Sequence, residues 1–406
     1  MATSREMSPE GLWRWAQIKG ITVIGTGDFT HPLWLDELRH KLWPDGNGLL
    51  MLRKKFQPDG IPESCRHDVR FMLSAEISSI YKKNGRTRKV HCLVLVSSFQ
   101  EAEGINKKLS KIGSLRSDGR PILKLDAKRL LDMALDVSPR AMLIPAHVWT
   151  PHFSVFGSAS GFDSLEECFE ELAHHVHSIE TGLSSDPPMN WRIGGLDKIT
   201  LVSNSDAHSP SNIGREANIF DTGVSYPHIE EAIRTREGFS GTIEFYPEAG
   251  KYHYDGHRRC GVSFSPEETI EHKGICPVCG GKLTVGVLHR VEKLADRQEG
   301  SRPLNSAGFN YIIPLRELIA SVFDKGKNAL SVEKEYFRLI ENLGNELGIL
   351  MDMPVRELEK AASRKIVDAI EAMRSGKVSR KPGFDGQYGE VCLSGSMDAQ
   401  ERLLAE

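Results

Sequence analysis

Asp206 and His208 stand one residue apart in "LVSNSDAHSP", just past a short apolar run. A carboxylate and an imidazole at that spacing can bind a cation, and either can equally cap a helix or sit in a solvated loop. The choice depends on whether partners converge. Asp28 in "GTGDFTHP", Glu76 in "RFMLSAEIS", His147 in "AMLIPAH" and Glu180 in "HVHSIE" each lie at, or just after, the end of a run that reads as a strand. Strand ends on one face are where α/β enzymes assemble sites. Asp28, Glu76, His147, Asp206 and His208 are therefore the candidate catalytic residues, and together with His31 and His91 the candidate metal ligands. His91 could instead be a satisfied core histidine, and His31 a phosphate contact or a loop residue. Mixed carboxylate and imidazole donors suit Zn²⁺, Mn²⁺ or Fe²⁺ better than Ca²⁺, and Zn²⁺, Mn²⁺ or Mg²⁺ is the expected catalytic cation. Two or more such cations activate water and hold both oxygens of an in-line displacement, so phosphate ester hydrolysis is the expected chemistry. Glu180, Asp186, Asn190 and Trp191 share "IETGLSSDPPMNW" and are candidate substrate contacts, with turn and capping chemistry as the alternative for the two acids.

A second set of donors has a different character. His257-x-x-Cys260 and Cys276-x-x-Cys279 form two pairs 15 residues apart, the pattern of a closed structural zinc site. His253 competes with His257 for the fourth place. The other four cysteines (Cys65, Cys92, Cys168 and Cys392) are isolated and read as structural.

The elements that must position these residues alternate. Ser8, Pro9 and Gly20 bracket a first helix, and "ITVIG" follows. Asn84-Gly85 marks a hairpin. Helical patterns cover 99–111, 126–136, 164–174 and "PHIEEAIRTR". This alternation predicts an α/β fold with a largely parallel sheet or barrel. Beyond residue 300, two amphipathic stretches predict helices, and Lys360, Arg364, Lys365, Arg374, Lys377, Arg380 and Lys381 face only Asp368 and Glu371 in that span. Lys377, Arg380 and Lys381 are candidate contacts to nucleic-acid phosphates. With 406 residues, 26% charged residues and a net charge of −3, the whole chain gives no argument for nucleic-acid binding, which would have to come from local patches. It has neither a secretory pattern nor an apolar run long enough for a membrane helix. A cytoplasmic, reducing location is expected.

The segments "GTGDFTHP", "LSAEIS", "KVHCLVLV", "PAHVWTPHF", "IETGLSSDPPMNWR", "SNSDAHSP", "KYHYDGHRRC" and "CPVCGGKLTVGVLHRVEKLADR" together resemble endonuclease Q, of the PHP (polymerase and histidinol phosphatase) superfamily. The resemblance implies a distorted (β/α)₇ barrel over 1–249, a zinc-binding module over 250–300 and a helical C-terminal region over 301–406 that contacts DNA. It also implies incision of DNA 5′ to deaminated bases (uracil, hypoxanthine, xanthine) or abasic sites. The family opens on a D-L-H-x-H-S strand, whereas this chain opens on "MATSREMS", which resembles the segment that follows that strand. The expectation is a ligand set short of two histidines and weak incision. Two other readings compete: a phosphatase of small phosphomonoesters, and a non-catalytic DNA-binding accessory protein. Salt-dependent DNA affinity separates the first from an endonuclease, and the number of bound metal ions separates the second.

Overall fold

The computed structural model describes residues 3–117 and 119–393. Within the expected C-terminal region, 394–406 lie outside the described residues. The first helix is Pro9–Lys19. Ser8 Oγ accepts from the Gly11 amide at 3.1 Å, and Gly20 closes the helix in the left-handed region at φ 86°.

The helix leads to strand Val23–Gly25, which runs parallel to the first residues of a 14-residue strand, Arg70–Lys83. That long strand turns at Asn84 and Gly85, both at positive φ, and returns antiparallel as Arg86–Val96. Strand Met142–Pro145 pairs antiparallel beyond it. Leu42–Pro44, Leu50–Leu52 and Ile122–Leu123 complete seven strands. Four smaller sheets follow among the described residues: Ser178–Glu180 parallel to Thr200–Val202, Ala217–Phe220 with Phe239–Glu244 and Gly308–Tyr311, Asp255–His257 antiparallel to Val262–Phe264, and Val378–Lys381 antiparallel to Glu390–Leu393.

The fold is thus mixed α/β. The expectation of a largely parallel sheet is corrected, because the long hairpin makes the central pairings antiparallel. Among the described residues the strands form separate sheets with no closed ring of pairings. The hairpin also corrects one strand end. Glu76 sits mid-strand, opposite Leu93, with His91 opposite Ser78. The helix expected over 164–174 is α-helical only over Leu165–Phe169 and tightens to a 3₁₀ turn over Glu170–His175.

One core lies under the hairpin and its covering helices, centred on Phe71, Ile77, Val94, Leu130 and Trp149. A second unites the C-terminal helices Leu315–Phe323, Leu330–Leu343 and Arg364–Arg374 with Ile18, Ile61 and Tyr246 from earlier in the chain. A buried ion pair, Lys19 with Glu346 at 2.5 Å, ties the first helix to that core. Glu346 also accepts from Tyr336 Oη at 2.6 Å and from the Leu315 amide at 3.1 Å, so its lone pairs are satisfied. No described helix is long and apolar enough to cross a membrane.

Candidate metal centre

Glu76 and His91 project from the two arms of the hairpin, and His147 follows strand Met142–Pro145 by two residues. Ligand atoms of these three side chains all lie within 4.8 Å of one another. His91 Nδ1 is 2.9 Å from Glu76 Oε1 and 3.1 Å from His147 Nε2, and His147 Nε2 is 3.4 Å from Glu76 Oε1. Burial would push the Glu76 carboxyl up, but the hydrogen bond and charge of His147 and the charge of Arg120 outweigh it and hold Glu76 well below the usual range. Burial lowers His91. For His147 burial also pulls downward, and the hydrogen bond and charge of Glu76 reverse the balance and raise it.

Asp28 belongs to the same neighbourhood. Burial and Glu76 push its carboxyl up, while Arg120, His31 and His208 act against them. Asp206 lies at the open side, half exposed, and His208 Nδ1 turns back to the Asp206 carbonyl at 2.9 Å. His31 Nδ1 is buried without a hydrogen-bond partner. Two imidazoles and a carboxylate within ligand distance, with an orphaned imidazole nitrogen nearby, fit a divalent transition metal.

Three of these residues share a backbone feature. Asp28 (φ 46°), His147 (φ 33°) and Asp206 (φ 42°) all occupy the left-handed region. Non-glycine residues there cost of order 1–3 kcal/mol each and persist where surrounding structure enforces them. At His147 the enforcement is visible. Its amide donates to Glu180 Oε2 at 2.7 Å, its Nδ1 meets Thr150 Oγ1 at 3.0 Å, and Gly182 backs it. A Cβ on Gly182, itself at φ 61°, would lie 2.6 Å from His147 Cβ. Gly182→Ala is therefore expected to displace His147 and to destabilise the protein by about 1–3 kcal/mol, with a parallel loss of bound metal. Unchanged melting and metal content would remove Gly182 from this role.

Glu180 is a support beneath the centre. It is buried, accepts from the His147 amide and from Asn204 Nδ2 at 2.8 Å, and burial pushes its carboxyl up to about 7. Behind it, Glu216 and Glu244 are also buried. Both Glu216 oxygens lack partners, burial and the charge of Glu244 hold Glu216 far above its usual range, and Glu244 is pushed up to about 8. A carboxyl whose folded pKa is raised stabilises the fold below its unfolded pKa, and that contribution is lost as pH rises through the folded value. Stability should therefore fall between about pH 5 and 8, and Glu216→Gln should flatten that fall in denaturant melts. An equally steep fall in the variant would exclude Glu216 as its source.

The remaining sequence candidates divide. Asp186 Oδ1 caps the turn Pro187–Asn190 by accepting from the Met189 amide, Oδ2 accepts from Tyr311 Oη at 2.6 Å, and burial raises its carboxyl to about 6. Asn190 is buried and committed to Trp149 Nε1, Ser185 Oγ and the Asp186 carbonyl. Both side chains are thus engaged in contacts within the chain. Trp191 is half-buried, with the Arg302 guanidinium 5.0 Å from its ring centre. Arg380 pairs with Glu248 at 2.7 Å and lies over Tyr246 and Tyr311. Arg374 is also engaged, on three carbonyls of residues 349–353. Lys377 and Lys381 remain exposed, and Lys381 lies on strand Val378–Lys381.

In the second cluster, ligand atoms of His257, Cys260, Cys276 and Cys279 also lie within 4.8 Å of one another. His257 ends strand Asp255–His257, and Cys260 ends the turn Arg258–Cys260, which Gly261 closes at φ 67°. Cys276 and Cys279 share a knuckle in which the Gly280 amide donates to the Cys276 carbonyl. Of the two histidines expected to compete for the fourth place, His257 groups with the three thiols, while His253 is buried and stacks on Tyr254.

Residues 314–377 match the family described as the MJ0043 C-terminal domain. The uncharacterized protein MJ0043 of Methanocaldococcus jannaschii is 32% identical over 251 residues, which take in 60% of this chain. The chain spans only 31% of that relative's length. YqxK of Bacillus subtilis, also uncharacterized, is 26% identical over 311 residues, 74% of this chain and 73% of that protein. The crystal structure of the lesion-specific endonuclease PfuEndoQ from Pyrococcus furiosus superposes with a TM-score of 0.83 at 27% identity, covering 100% of this chain and 96% of that one.

The chain is similar to endonuclease Q along its whole length. A second endonuclease Q structure, a complex with a 27-mer duplex substrate carrying an abasic lesion at its active site, gives the same score at 28% identity, covering 98% and 94%. Within this endonuclease Q-like architecture, sequence reasoning missed Arg120. It comes from the loop "SDGRP", 44 residues after Glu76, and no periodicity or motif marks it. Gly182 was legible in principle, as a glycine two residues past a strand-end acid.

Proposed function

We propose that this chain is a metal-dependent DNA endonuclease of repair, hydrolysing the phosphodiester 5′ to a deaminated base (uracil, hypoxanthine or xanthine) or an abasic site. The observation that supports it is the convergence of Glu76, His91 and His147 within 4.8 Å, inside an architecture that matches a lesion-specific endonuclease over the whole chain. In this reading residues 1–249 carry the nuclease site, 250–300 form a zinc module on His257, Cys260, Cys276 and Cys279, and 301–406 form a helical region that contacts DNA. The location that fits the reduced thiols is the cytoplasm.

Divalent cations bound at the centre supply an activated water and neutralise the charge that develops on the phosphate. The protein's own part is positioning. Glu76, His91 and His147 set the inner wall, and Asp28 and His31 the side near the first strand. Asp206 and His208, half exposed, form the rim that a DNA strand meets first. Glu180 holds the His147 backbone in its strained conformation, so the imidazole direction is fixed before substrate arrives.

The test is incision of a uracil-containing and an abasic strand with Mn²⁺. Asp206→Asn keeps the side chain's size and removes its charge. It should slow incision by about 10²-fold or more while leaving DNA affinity nearly unchanged. A fully active Asp206→Asn protein would exclude that residue, and an inactive parent with both lesions would sink the endonuclease reading. Charge reversal of Lys377 and Lys381 should weaken binding equally for damaged and undamaged strands, and lower the salt slope by about 2. A change confined to lesion discrimination would show that these lysines read bases instead.

A further inference from the structure

Arg120 occupies a position that a simple support would not need. Its Nη1 donates to Glu76 Oε1 at 2.7 Å and lies 2.7 Å from His91 Nδ1, while Nη2 is 3.9 Å from Asp206 Oδ1. A guanidinium only donates, so His91 Nδ1 must accept and present its lone pair inward. That lone pair and the Glu76 Oε1 lone pairs lie 2.9 Å apart and repel unless positive charge lies between them. Arg120 supplies that charge. It therefore engages donor atoms of three of the candidate ligands.

We propose that Arg120 is a resident cation of the centre, which competes with a divalent metal for Glu76, His91 and Asp206 and so sets the metal concentration at which the site loads. The same lone pairs cannot serve a guanidinium N–H and a metal ion at once, so metal entry must detach Arg120. Detachment is feasible sterically. The Arg120 side chain is 26% exposed, and its backbone belongs to the connection between helix Phe99–Leu109 and strand Ile122–Leu123 rather than to either element. The positive charge released at the rim then stays near Asp28, whose carboxyl it already influences.

The inference rests on the reading that Glu76, His91 and His147 hold a divalent cation, and its test keeps the two apart. Mn²⁺ affinity is measured on the metal-depleted full chain by calorimetry, for wild type, Arg120→Met and Arg120→Lys. Removing a cation from within hydrogen-bond reach of the ligands should tighten Mn²⁺ binding by about tenfold. Arg120→Lys, which keeps the charge but loses the planar fork, should fall between the other two. A second readout needs no variant. An arginine-selective dicarbonyl reagent, read by mass spectrometry, should label wild-type Arg120 several-fold faster with Mn²⁺ than without. Equal or weaker Mn²⁺ binding in Arg120→Met, or protection of Arg120 by Mn²⁺, would overturn the competition. If Arg120→Met does not fold, the labelling result alone decides. No Mn²⁺ binding in wild type or in either variant would overturn the metal-centre reading itself, whereas binding that appears only on removing Arg120 supports both.

Discussion

Glu76→Gln is expected to reduce incision by at least about 10³-fold and to lower the affinity for Mn²⁺. Among the described residues, Glu76 is the one carboxylate that touches His91, His147 and Arg120 together. Glutamine keeps the shape of the side chain, so the hairpin pairing of Glu76 with Leu93 should survive. It removes the charge that holds His147 above its usual pKa against burial. In the variant His147 should lose its proton at lower pH, which histidine ring resonances followed by NMR would show. Circular dichroism separates loss of the centre from loss of the fold. Wild-type incision and metal content in Glu76→Gln would move the centre elsewhere.

The second large effect is expected at the cysteine cluster. Cys276→Ser should release one zinc ion per chain and melt the module around it, while the nuclease body stays folded. The asymmetry follows from the cores. The module's own apolar cluster consists of Val262, Cys276 and Leu283 with Cys260 and Phe264 packed against it, too little to hold a fold unaided. The body's core is larger by far and does not draw on those residues. A structural zinc contributes on the order of 10 kcal/mol in small modules, more than such a cluster can replace. Limited proteolysis should cut first between 257 and 284. Unchanged zinc content together with unchanged protease resistance would exclude the assignment.

Much of this centre was legible in the sequence because its donors sit at the ends of short apolar runs, where composition changes abruptly. His147 and Glu180 fall where the strand pattern placed them. The hairpin was legible for a local reason, since Asn84-Gly85 supplies two positive-φ residues at the turn. What such local signals do not carry is extent and pairing. The strand bearing Glu76 runs seven residues past it to Lys83 because the hairpin partner and the core on both faces extend it. Nothing in "RFMLSAEIS" marks that continuation. Asp186 and Asn190 looked like site residues by type, and their burial and bonding are fixed by Tyr311 and Trp149, more than 40 residues away in each case. Arg120 is the same problem in its sharpest form. A basic residue in a polar loop carries no signal of direction, and only the folded chain points it into the cluster.

The turn after strand Val378–Lys381 gives the cysteine cluster a consequence in time. Asp385, in the turn after strand Val378–Lys381, accepts from the Arg258 amide and from Thr284 Oγ1 at 2.7 Å, and the Gly383 carbonyl accepts from the Tyr254 amide. The cysteine knuckle is complete once residue 279 has been made, but Asp385 follows Arg258 by 127 residues and Thr284 by 101. At roughly 5–20 residues per second, a nascent chain waits on the order of 10 s between the last of the four donors and this C-terminal clasp. The links of Val285 to Ser158 and of Arg290 to Phe156, Phe162 and Asp163 need no such wait. The clasp therefore closes last, over a cluster whose donors and links to the body are already made.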